Sequence, residues 1–219
     1  MSPEFEEEEF SSPESVKEEA VKLSWVVELL WAAIGLLLTI FSTFAEAFIT
    51  NPPWEWGNKG ITSHSLGITY QIGAVLLTGC LGGKNAGVIS QVAYLILGLT
   101  WFPIFAQGGG WDYWQKPSFG YLVGFIPGVW LCGWLAFRRP NQIENLALSS
   151  LAGLGVIHGC GMLYLLLLTV LRLGNPPILA WQTLPSALLY YSIFALPSQI
   201  ILVCLTAVLA FFIRKVLFY

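Results

Sequence analysis

The chain has 219 residues, of which 56% are hydrophobic and only 11% are charged, and its formal net charge is −3. Soluble domains carry about 25% charged residues, so this chain has too few to cover a surface exposed to water. The composition therefore excludes a soluble globular enzyme, a disordered chain and a nucleic-acid-binding protein, and it indicates a multi-pass membrane protein.

The N-terminal segment differs from the rest of the chain. Eight of the 13 acidic residues precede Lys22, and four of them form the run at 6–9. The segment lacks the basic start of a signal peptide, and no small-residue cleavage site follows the apolar run after it. The sequence predicts an acidic, disordered cytoplasmic tail at 1–22 and a single transmembrane domain at 23–219.

Runs of about 20 apolar residues predict the helices that cross the membrane. The runs are apolar on all faces, as expected for helices embedded in lipid. The predicted fold class is an all-α membrane protein with six transmembrane helices. These lie at residues 23–49, 65–82, 86–105, 121–137, 146–171 and 197–212. A short apolar run at 187–194 leaves counts of five or seven open.

The Lys and Arg residues predict the orientation, because cytoplasmic loops carry an excess of them. Of the ten, seven fall on one side of the predicted bundle: Lys17, Lys22, Lys84, Arg138, Arg139, Arg214 and Lys215. The other three, Lys59, Lys116 and Arg172, lie in the longer loops. Both termini are therefore predicted to be cytoplasmic, with the longer loops outside, where they can cover an outward-facing pocket.

Residue types that often carry catalysis or bind metals are scarce. Four cysteines fall in predicted spans without C-x-x-C spacing and are interpreted as small buried residues: Cys80, Cys132, Cys160 and Cys204. His158 lies within a span, where a hydrogen bond between helices is favoured over a role in lining a cavity. Hydrolase and nucleotide-binding motifs are absent from the sequence, which predicts no enzyme, no metal and no cofactor.

Small residues at four-residue spacing indicate close contact between helices in lipid. Gly120, Gly124 and Gly128 form such a series at the start of the fourth span. The first span carries Thr39, Thr43 and Ala47 at the same spacing, which fits either internal packing or a face for a partner helix.

The stretch from 68 to 125 has a distinctive arrangement of polar, aromatic and glycine residues. Thr69 and Gln71 open the second predicted helix from the outer side, and Tyr94 lies inside the third. The glycines at 108–110 predict an outer turn whose backbone amides can approach a ligand. A few hydrogen-bonding groups in an apolar, outward-facing cavity are typical of a small-molecule site.

This stretch resembles the BioY family of biotin transporters, which are the substrate-specific S components of energy-coupling-factor uptake systems. The resemblance covers roughly residues 61–139 most specifically. The matching residues, in order, are Thr69, Gln71, Tyr94, Leu95, Gly98, Pro103, Phe105, Ala106, Gly108, Gly109, Gly110, Pro117, Gly120, Tyr121, Leu122, Gly124 and Phe125. Six helices with both termini inside is also the arrangement that the family implies.

The last helix departs from the family pattern. Family members commonly carry Pro-Gly-Asp-x-x-Lys there, whereas this chain has P-S-Q-I-I-L at 197–202, with Gln199 for the Asp and Leu202 for the Lys. In one interpretation biotin still binds, with its carboxylate held by loop amides, Lys116 or Lys59. In the other, the ligand differs or transport has been lost.

The resemblance implies uptake of biotin across the cell membrane by a substrate-binding subunit, with biotin as the transported ligand. Glutamine, threonine and tyrosine side chains suit the donors and acceptors of the ureido group, and Phe105 suits the apolar rings. The predicted ligand-binding residues are Thr69, Gln71, Tyr94, Phe105, Gly108, Gly109, Gly110, Tyr121 and Gln199. The implied partners are an energy-coupling T component, ATPase subunits and membrane lipid. The same fold with another small ligand, or a membrane scaffold, are the alternatives.

Overall fold

The computed structural model describes residues 25–52, 54, 56–60, 62–173 and 178–217, so the predicted tail at 1–22 lies outside the described residues. The described chain is mostly helical. The helices are α1 (Trp25–Phe44), α2 (Trp56–Lys59), α3 (Gln71–Thr100), α4 (Phe119–Arg138), α5 (Ile143–Val170), α6 (Leu184–Leu188) and α7 (Leu196–Leu217). Two strands, β1 (Glu46–Thr50) and β2 (Ser63–Thr69), pair with each other.

Within the described residues, five helical segments are long and apolar enough to cross a membrane. They are α1, α3, α4, α5 and the segment Leu184–Leu217, which joins α6 to α7 through a π-helical turn at Leu189–Ile193. The prediction of a helical, multi-pass membrane protein is confirmed. The apolar run at 187–194 is part of this last segment and not a separate span.

A β-hairpin replaces the ends of two predicted spans. Helix α1 stops at Phe44, and the next residues form β1, in which Phe48 pairs with Ser65 of β2. The predicted bounds of 23–49 and 65–82 are therefore wrong at these ends. The apolar composition of these residues predicted helix. Pairing between the two strands satisfies their backbone hydrogen bonds equally well, so a helix is not required there.

Helix α3 is broken at Gly83, which has φ 79° and ψ −176°. In a straight helix Gln71 and Tyr94 would be about 34 Å apart, yet the Gln71 side chain donates a 2.9 Å hydrogen bond to the Tyr94 hydroxyl. The two halves of α3 therefore fold back on each other. The predicted second and third spans, 65–82 and 86–105, correspond to these halves.

Helices α3, α4 and α5 pack closely at the centre of the bundle. A Cβ atom on Gly128 of α4 would lie 2.9 Å from the backbone oxygen of Gly153 in α5. Gly124 is equally close to the backbone oxygen of Ile157. The glycine series in α4 therefore brings two backbones into contact, as its spacing predicts.

The small residues of α1 face the interior. Thr39 and Thr43 are buried; Gln91 donates a 3.1 Å hydrogen bond to the Thr39 hydroxyl, and the Thr43 hydroxyl lies 3.1 Å from that of Tyr94. Ala47 is also buried, in β1. Internal packing is thus the interpretation that the structure supports for this series.

A buried arginine joins three helices at the end of the bundle that contains Gly83. Arg214 of α7 donates from Nε to the backbone oxygen of Cys80 at 2.7 Å and from Nη1 to that of Ala136 at 3.0 Å. Ala136 lies in the last turn of α4, four residues before Pro140, which has no N–H to offer it. The guanidinium group therefore satisfies a helix-end carbonyl that the backbone leaves unpaired.

We expect Gly83→Ala to destabilise the protein by about 1–3 kcal/mol, because the backbone conformation at Gly83 is almost restricted to glycine. The matched control is Gly155→Ala, since a Cβ at Gly155 meets nothing within 4 Å and the residue lies inside helix α5. Thermal unfolding in detergent measures the difference. Equal melting temperatures for the two variants would contradict a strained turn at Gly83.

Candidate ligand-binding site

A cavity of about 430 Å³ opens at the end of the bundle that carries the β-hairpin. Its walls come from the end of β2, the start of α3, the loop before α4, the start of α4 and the Leu184–Leu217 segment. Ligand pockets of this kind commonly measure about 300–1,000 Å³. The described residues that line it are Leu66, Gly67, Ile68, Thr69, Gln71, Ile72, Ala106, Gln107, Tyr113, Ser118, Tyr121, Leu122, Phe125, Tyr190, Tyr191, Phe194, Ala195 and Gln199.

The described wall of this cavity is polar in places but carries no formal charge. Amide, hydroxyl and phenol groups supply its hydrogen-bonding atoms, and aliphatic and aromatic side chains form the remainder. Burying a charge without a partner is expensive, whereas amides and hydroxyls can be satisfied by a few hydrogen bonds. The cavity suits a ligand whose inserted part is neutral and both donates and accepts hydrogen bonds.

Gln71 lies at the first turn of α3 and forms one side of the cavity while only 8% of it is exposed. Its Nε2 donates to the hydroxyl of Tyr94, which in turn donates to the backbone oxygen of Ile104 at 3.0 Å. Tyr94 is completely buried and stands behind Gln71 instead of lining the cavity. Of this predicted pair, Gln71 reaches the ligand space and Tyr94 supports it.

Gln199, in the first turn of α7, forms another side of the cavity and is 6% exposed. Its Oε1 is hydrogen-bonded to Nε2 of His158, which lies in α5 and is buried. The hydrogen bond between helices that the sequence favours for His158 is present. Leu202 is also buried but faces a smaller cleft between α1, α3 and α7, away from this cavity.

Thr69 and Tyr121 also line the cavity. Thr69 is the last residue of β2, so it reaches the site from a strand. The prediction that Thr69 opens a helix is wrong. The hydroxyl of Tyr121 lies 2.7 Å from that of Ser192, in the π-helical turn of the last segment. Irregular turns of this type are frequent at functional sites.

The other predicted site residues do not line the cavity. Phe105 is buried between the rings of Tyr94 and Tyr113, with centroid distances of 5.2 and 4.5 Å. The turn at Gly108, Gly109 and Gly110 does not line the cavity. The amide of Gly108 donates to the backbone oxygen of Phe105, and that of Gly110 to Gly98. These two amides hold the loop in place and are not available to a ligand.

The sequence analysis did not single out several residues of the wall. Gln107 and Ser118 come from the loop between α3 and α4, while Tyr190 and Tyr191 come from the π-helical turn. The paired tyrosines lie between Pro185 and Pro197, which was a usable signal, because a helix interrupted within the membrane is tolerated where it lines a cavity. Gln107 carried no signal of its own.

Two lysines were predicted as partners for a ligand carboxylate. Lys116 is exposed and lies two residues before Ser118, which lines the cavity. Lys59 ends the single turn of α2, and its side chain lies outside the described residues.

The BioY family model matches residues 20–218. The chain belongs to the BioY family. An uncharacterized 21.2 kDa protein of Cyanophora paradoxa is 32% identical over 190 residues, which cover 86% of this chain and 95% of that protein. A probable biotin transporter BioY of Lysinibacillus sphaericus is 37% identical over 98 residues, which cover 44% of this chain and 50% of that protein.

The fold of this BioY-family chain also matches a solved structure. The S-component for biotin from an ECF-type ABC transporter superposes with a TM-score of 0.61 and 22% sequence identity. The match covers 87% of this chain and 92% of that structure. The helical bundle of this chain is therefore an S-component fold.

Proposed function

We propose that this protein is the substrate-binding subunit of a biotin uptake system and acts by binding, without catalysis or a resident cofactor. The observation that carries the proposal is the uncharged cavity with one carboxamide on each of two helices, Gln71 and Gln199. Relatives in the family are named as biotin transporters, which makes biotin the first ligand to test.

The chemistry of the cavity suits biotin. The ureido ring is neutral, donates through two N–H groups and accepts through one carbonyl oxygen. Gln71, Gln199 and Thr69 supply both kinds of partner, and Phe125 and Phe194 offer apolar surface to the fused rings. A site that hydrogen-bonds a buried polar group rejects ligands without that group, because its own polar atoms would be left unpaired.

The carboxylate of biotin fits best at the mouth of the cavity. The described wall holds no cation, and a carboxylate buried there would lose its hydration without compensation. Lys116 lies in the loop beside Ser118 and is exposed. We assign the ureido ring to the glutamines and the carboxylate to the side of the cavity that faces this loop. Contacts from the loop would then substitute for the Asp and Lys whose positions Gln199 and Leu202 occupy in this chain.

Biotin binding to the purified chain tests the ligand. We expect saturable, submicromolar binding of labelled biotin, and a loss of at least about tenfold in affinity for Gln71→Leu, since one buried hydrogen bond to the ligand disappears. The control is Gln182→Leu, which changes an exposed glutamine away from the cavity and should bind like the unchanged protein. Absence of saturable binding would reject biotin as the ligand.

We also propose six membrane crossings with both termini in the cytoplasm. The fold-back at Gly83 supports the count, because it divides α3 into two antiparallel halves. Charge supports the orientation: Lys84, Arg138, Arg139, Arg214 and Lys215 lie at the end that contains Gly83. Lys116 and Arg172 lie at the cavity end, so the positive-inside rule puts the cavity outside.

Labelling of intact cells checks this orientation. With Cys160 and Cys204 replaced by serine, Ala106→Cys should react with a membrane-impermeant maleimide, because Ala106 lines the cavity, and biotin should protect it. Lys84→Cys, at the opposite end and exposed, should react only after the membrane is permeabilised. The reverse pattern would invert the proposed topology.

For transport, we propose that a T component and paired ATPases supply the energy. The family membership and the S-component fold support these partners. Co-expression with both partners should allow co-purification of the complex and ATP-dependent uptake of biotin. Equal uptake by this chain expressed alone in a host that lacks such partners would contradict the proposal.

A further inference from the structure

Two side chains stand behind the two cavity glutamines, one behind each. Tyr94 contacts Gln71, and His158 contacts Gln199. Neither Tyr94 nor His158 lines the cavity, and both are buried. A carboxamide has an oxygen that only accepts and a nitrogen that only donates, so a fixed partner decides which end faces the ligand.

Behind Gln71, the hydroxyl protons that are available determine the orientation of the carboxamide. The Tyr94 hydroxyl has one proton, which it donates to the backbone oxygen of Ile104 at 3.0 Å. The Thr43 hydroxyl, 3.1 Å away, donates its own proton to the backbone oxygen of Thr39 at 2.7 Å. Tyr94 can therefore only accept from Gln71, because turning the carboxamide over would take the proton from Ile104 and leave a backbone carbonyl unpaired.

Behind Gln199, the direction is reversed. The Gln199 oxygen faces Nε2 of His158, and Nδ1 of the same ring is buried with no hydrogen-bond partner among the residues that the structure describes. With the Gln199 oxygen in this position, His158 carries its proton on Nε2 and donates it to that oxygen. Turning Gln199 over would move that proton to Nδ1 and bury an N–H group without an acceptor, which proteins rarely tolerate. The nitrogen of Gln199 is therefore the end left for the cavity.

We propose that Tyr94 and His158 are positioning residues that set the two cavity glutamines in opposite senses. Gln71 presents an acceptor to the ligand, and Gln199 presents donors. This pair matches a cyclic urea, which offers an N–H to the first and a carbonyl oxygen to the second. The inference rests on the proposed function, because biotin is the urea used to test it.

Ligand analogues separate the two halves of the proposal. Biotin methylated on a ureido nitrogen loses an N–H donor and should be penalised through Gln71, whichever of the two nitrogens faces it. Thiobiotin, with C=S in place of C=O, is a weaker acceptor and should be penalised through Gln199. The test measures the affinity of the full chain in detergent for biotin, for both N-methyl analogues and for thiobiotin.

We expect a crosswise result. Tyr94→Phe should reduce the penalty for one N-methyl analogue by about tenfold, the equivalent of one hydrogen bond, and leave the penalty for thiobiotin unchanged. His158→Phe should do the reverse. A purely structural role would shift all affinities together, so an equal effect on both penalties, or no effect on either, overturns the inference while biotin binding itself stands.

Thr43 supplies a control away from the cavity. Thr43→Val keeps the shape but removes a hydroxyl whose proton already goes to the backbone oxygen of Thr39, so it should leave both penalties as they are in the unchanged protein. A Thr43→Val variant that reduced the N-methyl penalty as much as Tyr94→Phe would overturn this proton assignment. If the unchanged protein does not bind biotin, the proposed function and this inference fail together.

Discussion

The fold-back of α3 at Gly83 shapes one side of the cavity, and the hydrogen bond from Gln71 to Tyr94 joins the two halves of the helix there. It links residues 23 positions apart in one helical element, so it exists only because Gly83 reverses the chain. Through Tyr94 it also connects α1 and the backbone at Ile104. One buried polar cluster therefore holds together the helices and the loop on one side of the ligand space.

Polarity without charge is the second feature that organises this molecule. The described wall of the cavity is built from amides, hydroxyls, aromatic rings and aliphatic side chains, and a buried cation, Arg214, lies at the other end of the bundle. This separation follows from the cost of burying charge in an apolar surrounding. It also makes the replacement of the family's Asp and Lys by Gln199 and Leu202 consistent with binding, since a neutral ring needs neither charge.

Much of the helical architecture could be predicted from the sequence, because long apolar runs respond to the membrane directly. The helices α4 and α5 begin and end within a few residues of their predicted bounds. The β-hairpin was missed, since strands of apolar composition at the end of a helical run give no separate signal. The family motif placed Tyr94, Phe105 and the glycine turn near the site. A motif does not distinguish residues that line a cavity from residues that pack behind it.

The sequence by itself determined that the chain is a membrane protein and that it resembles one transporter family. It also determined that the last helix lacks the Asp and Lys that members of this family commonly carry. These properties are local or compositional, so they need no knowledge of which helices meet. Only the tertiary structure decided that Gln71 and Gln199 face one cavity, that Tyr94 and His158 stand behind them and that Thr43 points inward. Each of these depends on contacts between helices far apart in the chain, which packing sets and spacing along one helix does not.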